Sequence, residues 1–193
     1  MQKLTTDDLI SLERYHKERP RMRAEVIEHK RHRQAPIGAH VTLYFEDRVT
    51  MRYQVQEMLR AERIFESDAI AEELEAYNPL IPDGTNLKAT MMLEYPDIAE
   101  RRAALERLKG IEDRVYLEVG ALGRVLAHAD EDLERSDETK TSAVHFLRFE
   151  LDAAMRAALK SGAPLKLGVD HENYRHELLA GAELAKSLAA DFD

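Results

Sequence analysis

The chain contains no cysteine. That excludes disulfides, cysteine nucleophiles, zinc knuckles and thiolate-held iron–sulfur clusters, so any metal would have to sit on His, Asp and Glu. It also lacks an apolar run near the roughly 18 residues needed to span a bilayer, and MQKLTTDDLISLERY has no apolar signal-peptide core. Cytoplasm is the expected compartment. No phosphate-binding loop, dinucleotide glycine fingerprint or Gly-x-Ser-x-Gly elbow occurs, and Gly120-x-x-Gly123 is long enough only for a turn.

What the chain does have is a hydrophobic fraction of 44% over 193 residues, enough to build a sizeable core. The clearest local signal lies in residues 40–64. Val41, Leu43 and Phe45 alternate with His40, Thr42, Tyr44 and Glu46, the period of two of a half-buried strand. Asp47 can then cap a helix whose Met51, Val55, Met58 and Leu59 share one side, opposite Arg52, Gln56, Arg60 and Arg63. Further strands are expected at 89–95, 115–119, 124–128, 142–149 and 165–169, and helices at 67–77, 97–109 and 152–160. Thr5-x-x-Asp8 should open a helix over 6–16 that Pro20 interrupts, a second helix should cover 20–33, and Asp170 should open a helical C-terminus. These elements predict an α+β fold: one domain over 1–193, with a helical arm (1–38) and a core (39–193). The core should hold a single, mostly antiparallel sheet of five or six strands with helices packed on it.

Net charge is −9, unevenly placed. Residues 14–33 carry eight Lys/Arg against three Glu, a local +5, whereas 130–138 carry six acids against Arg135, a local −5. Both segments are expected to be solvated or to meet one another. RNA binding through 14–33 is a third-ranked alternative, because only Tyr15 stands near to stack on a base, and the acidic balance makes nucleic acid an unfavoured partner.

The whole chain resembles an uncharacterised bacterial domain-of-unknown-function family on six stretches. They are a KLTxxDLxxLE start (3–13), HVTLxFE (40–46), QxQEMLRxERI (54–64), YNxLIP (77–82), SAVxxLRF (142–149) and VDHxxY (169–174). The resemblance implies no activity. It implies a setting, since such members are often encoded beside rubrerythrin-like proteins and iron–sulfur or flavin oxidoreductases.

Four sets of residues can carry chemistry. His29 and His32, with His40 from outside their helix, offer a weak metal site, disfavoured by Lys30, Arg31 and Arg33. At a strand end, Asp170 can orient His171 as a general base, with Tyr174 as a donor. The polar strand faces offer Tyr44, Glu46, Glu94, Tyr116, Glu118 and His145 as ligand-binding groups on one open side of the sheet. Arg19, Arg21 and Arg23, with Arg52, Gln56 and Arg60, are candidate interaction residues. The leading expectation is a homo-oligomeric accessory or interaction protein, without a cofactor, serving a rubrerythrin-linked redox or peroxide-stress partner. The alternative is a metal- or small-ligand-binding enzyme.

Overall fold

The computed structural model describes residues 2–192. Thr5 and Asp8 do form a capping box, but over a 3-10 turn, Thr6–Asp8, and Ser11 then caps α1 (Leu12–Arg31) by accepting from the Arg14 N–H. Pro20 lies inside α1 rather than between two helices. Its missing N–H costs one backbone bond. Buried Tyr15 on one side of it and Met22 and Val26 on the other hold the helix continuous. The expected arm is therefore packed: α1 lies on α2 (Arg48–Glu62), where Glu57 accepts from the Tyr15 hydroxyl at 2.5 Å and from Arg19 at 2.7 and 2.8 Å. The Arg19 guanidinium, followed by the Tyr15 hydroxyl, lowers the Glu57 carboxyl to about 2. Asp47 caps α2 as expected, accepting from the Thr50 N–H at 2.9 Å while the Thr50 hydroxyl accepts from Asp47. Met51, Val55 and Leu59 of α2 join Leu74 of α3 (Ser67–Tyr77), Leu4 and Ile81 in a small second core.

The fold is α+β, with six α-helices among the described residues and every strand pairing among them antiparallel. The strands divide between two sheets, where one was expected. The first has the order β1 (Gln34–Ile37), β2 (Val41–Glu46), β3 (Asn86–Leu93), β7 (Val144–Glu150), β6 (His128–Ala129). The second runs β5 (Arg124–Leu126), β4 (Val115–Val119), β8 (Leu165–His171), β9 (Tyr174–Leu179). Alternation shows that a strand has one apolar face, but not whether that face meets helices or another sheet. Here Leu43, Met91 and Phe149 of one sheet share a core with Leu117, Leu167 and Val169 of the other. Helices α4 (Ile98–Arg107), α5 (Ala153–Lys160) and α6 (Ala182–Ala189) add Ala104, Met155, Leu159, Leu184 and Leu188 to that core.

The sheets are joined at both margins. Residues 124–129 pair first with β4 and then with β7, and between these pairings the Ala127 N–H donates to the Val115 carbonyl at 2.9 Å. At the far margin β1 lies beside β9. There the Tyr174 hydroxyl donates to the Ile37 carbonyl at 2.6 Å and accepts from the His40 N–H at 3.1 Å. The expected C-terminal helix from Asp170 is instead the β8–β9 hairpin. A two-residue turn, Glu172-Asn173, joins its strands, and Tyr174 is buried. Helix resumes only at Ala182.

Arg33, expected in a solvated basic segment, is 2% exposed. Its guanidinium donates to Asp191 at 2.5 and 3.2 Å, to the carbonyls of Phe45 and Glu46, and to Ser187. Asp47 lies 3.4 Å away and is itself 2.6 Å from His29 Nε2. This buried group ties the end of α1, the β2–α2 junction and α6. Burial pushes the Asp191 carboxyl up to about 6 against the pull of Arg33.

Candidate functional site

The outer face of the first sheet is set by register. Lys88 stands between Glu46 and Arg148, Thr90 between Tyr44 and Phe146, and Met92 between Thr42 and Val144. Tyr77, Pro79 and Leu80, at the end of α3 and just beyond it, approach one side of this face. The 131–135 loop approaches the other, and a cleft of about 450 Å³ lies between them. The apolar wall is Tyr77, Pro79, Leu80 and Phe146, with the Arg135 guanidinium 4.5 Å from the centre of the Phe146 ring.

The charges around the cleft are matched in all but one case. Arg148 holds Glu131 at 2.7 and 2.8 Å and Glu150 at 2.7 Å, while Arg135 holds Asp132 at 2.7 and 2.8 Å. These guanidiniums keep Glu131 and Asp132 below the usual carboxylate range, as anions poorly suited to take a proton. Glu46, across the strand from Lys88, accepts instead from the Thr50 and Thr90 hydroxyls at 2.7 and 2.8 Å. Among the described residues lining the cleft, Lys88 is the only charged side chain without an ion-pair or hydrogen-bond partner. Burial, and after it the neighbouring Arg148, lowers its amine below the ordinary lysine range. Lys88, Phe146, Tyr77 and Leu80 were not singled out from the sequence, and only strand register brings them together.

The six expected ligand-binding residues do not converge. Glu94 accepts from Thr42 at 2.7 Å and Tyr44 at 3.3 Å on the outer face of the first sheet, so Tyr44 and Glu94 do meet. Glu46 is closed off by its two threonines. Tyr116 and Glu118 belong to the second sheet. The Tyr116 hydroxyl donates to Glu177 at 2.5 Å, and Glu118 holds Arg124 and Lys166. His145 points inward and is fully buried, with Nδ1 2.6 Å from Asp130 and Nε2 2.9 Å from the Thr141 hydroxyl.

At the other expected corner, His171 Nδ1 accepts from the Asn173 N–H, which leaves Nε2 to donate to the Lys109 carbonyl. Asp170 faces Arg124 and Arg175, away from the imidazole, and the Tyr174 hydroxyl is engaged at the sheet margin. Both imidazole nitrogens are committed to backbone, so the geometry offers no general base there. Nor do the three histidines gather: His29 is on Asp47, His32 lies 3.8 Å from Glu28, and His40 stacks on Tyr95 at 4.0 Å. Among the described residues, no group of three or more His, Asp or Glu side chains is placed to hold a metal.

Of the expected interaction residues, Arg19 is bound to Glu57, Arg21 to Glu18 and Glu25, and Gln56 is buried, clamping both backbone groups of Ile10. Arg60 stands 3.7 Å from Glu57. Arg23 and Arg52 keep no acidic partner among the described residues. On the polar side of α2, expected to meet water, Gln56 is thus covered by the N-terminal segment and Arg52 is partly covered, whereas Arg60 and Arg63 stay exposed. With Arg14, Lys17 and Arg31 also paired to glutamates on their own helix, the basic segment presents far less free charge than its composition suggests.

Among the described residues, no helix is long and apolar enough to cross a membrane. Comparison with curated proteins finds no match. A crystal structure of a novel protein of unknown function from Burkholderia pseudomallei K96243 is similar over 100% of both chains, with 54% identity and a TM-score of 0.95. Residues 3–192 match the family model described as protein of unknown function (DUF3501), and the chain belongs to that family.

Proposed function

We propose that this protein binds a small, largely apolar ligand in the cleft over Lys88, with the ammonium donating to an oxygen of the ligand. One observation carries the reading: Lys88 is held unpartnered beneath an apolar wall, while every neighbouring charge is satisfied within the protein. Half-burial strips the Lys88 ammonium of part of its water without giving it a protein partner, so it is a natural donor to an incoming acceptor. Glu131 and Asp132 at the rim are already paired with Arg148 and Arg135, so the Lys88 ammonium is the free charge that an acceptor oxygen of the ligand would meet. A fragment screen by protein-observed NMR tests this. Neutral aromatic fragments carrying a carbonyl should shift the amides of Tyr77, Asn78, Leu80, Lys88 and residues 146–148, and Lys88→Met should abolish the response. Hits of equal strength in both proteins, or clustered elsewhere, would sink it.

A second reading, an accessory role beside a rubrerythrin-like partner, has one supporting feature. Arg52 lines a groove of about 400 Å³ between α1 and α2 with Met22, Val26 and half-exposed Val49, and both it and Arg23 are free to meet acids. Co-elution with a rubrerythrin-like protein of the same organism should be lost in the Arg23→Glu/Arg52→Glu double variant. Absence of co-elution with the unaltered protein would refute this role.

A further inference from the structure

We infer that Lys88 is a nucleophile that forms a reversible imine with a small aldehyde or ketone seated in its cleft. The inference rests on the cleft reading above and adds covalent chemistry to it.

The starting point is an arrangement that brings the folded protein no visible return. Lys88 is half-buried in the middle of β3, and the residue directly across the strand is an acid, Glu46. That pair would neutralise the ammonium. Instead both Glu46 oxygens are taken by the hydroxyls of Thr50 and Thr90. On the opposite strand the register neighbour is Arg148, of like charge, whose own acids, Glu131 and Glu150, face it rather than the lysine. Asp83, beyond the start of β3, is engaged with the backbone and hydroxyl of Thr85. Glu131, Glu150 and Asp83 still favour the ammonium, but burial and Arg148 outweigh them. A lysine desolvated in an apolar pocket next to another cation is the environment that converts this residue from a charge into an amine nucleophile. Elsewhere in the molecule, by contrast, Lys17 and Lys166 are salt-bridged.

The reaction balances without any further reagent. The amine lone pair adds to the carbonyl carbon while the carbonyl π electrons move to oxygen. The nitrogen loses a proton and the oxygen gains one, giving a carbinolamine. Loss of water then forms the C=N bond, and hydrolysis reverses each step.

The walls define the ligand class. Phe146, Tyr77 and Leu80 suit a flat apolar body, and the rim carboxylates Glu131 and Asp132 are already held by Arg148 and Arg135. Benzaldehyde is therefore a fitting probe.

The test uses the full chain at pH 7 with benzaldehyde and cyanoborohydride, read by intact mass and peptide mapping. A single benzyl adduct should form at Lys88 before any other lysine reacts. It should be absent in Lys88→Arg, whose melting curve should match the parent's. Benzamide, which cannot form the imine, is followed in parallel by NMR. Adducts scattered over surface lysines, with benzamide still shifting cleft resonances, would overturn the imine and leave the binding site standing. Scattered adducts with no benzamide response would overturn both.

Discussion

Replacing Arg33 by alanine is expected to lower the melting temperature by roughly 10 °C. Removing one member of a buried ion pair costs about 3 to 5 kcal/mol, and a chain of this length loses about 2 to 4 °C per kcal/mol. The damage comes from what is left behind. Asp191, 3% exposed, loses its only bidentate partner, and the carbonyls of Phe45 and Glu46 lose donors. The pH dependence follows from the same group. Asp191 is already raised to about 6 by burial in the intact protein, against 3.8 for the free group. A carboxyl raised by folding contributes stability that is complete below its unfolded value and is lost as pH rises through its folded value. Without Arg33 the folded value moves higher still, so the deficit of Arg33→Ala should be larger at pH 8 than at pH 5. Chemical denaturation at the two pH values measures it. An equal deficit at both would show that Asp191 is not the group left stranded. The double variant Arg33→Met/Asp191→Leu should recover only the part of the loss owed to Asp191, since Asp47 and the carbonyls of Phe45 and Glu46 still lack the guanidinium.

Gly38→Ala should cost about 2 to 5 kcal/mol, on two grounds that add. Gly38 has φ +73°, where a side chain is strained by about 1 to 2 kcal/mol. A methyl group there would also lie 2.5 Å from the Tyr174 hydroxyl and 2.7 Å from the His176 ring, an overlap of the kind that costs about 1 to 3 kcal/mol to relieve. The ring cannot simply retreat, because its hydroxyl is bonded to Ile37 and His40. Urea unfolding of Gly38→Ala, Tyr174→Phe and the double variant separates the two grounds. If strain alone acted, the two losses would add. If the collision matters, the double variant loses less than their sum.

Much of the fold is legible because its signals are local. Asp47 is followed three residues later by a partner hydroxyl on Thr50, so the β2–α2 junction is visible from residues 41–59 alone. The strands expected from alternation at 89–95 and 115–119, and from a short apolar run at 142–149, overlap those found at 86–93, 115–119 and 144–150. What escapes is decided at long range. Arg33 looks like one more solvated cation until α6, more than 150 residues later, brings Asp191 to it. Pro20 reads as a break because the packing of Met22 and Val26 on α2 is not written in its neighbourhood. Tyr174-Arg-His-Glu-Leu-Leu carries only one deeply buried residue, so β9 leaves too faint a pattern to outweigh a helix-capping aspartate.

The candidate site was partly legible. Residues 40–46 and 142–149 were marked as strands with a polar or second face, and Tyr44 with Glu94 does form a pair. Lys88 gave no sign, because a lysine between Leu87 and Ala89 is what any outward strand position looks like. Its significance depends on Glu46 being diverted to Thr50 and Thr90, a matter of register and of where α2 begins.

The segment 124–129 bears on how this protein comes apart. Its first half is stitched to one sheet and its second half to the other. A fluctuation that peels either sheet away must therefore strip bonds from a segment the remaining sheet also needs. Neither sheet can then melt as an independent foldon, and amide exchange at Ala127 and Asp130, whose N–H groups donate to Val115 and Phe146, should proceed only when the whole molecule opens.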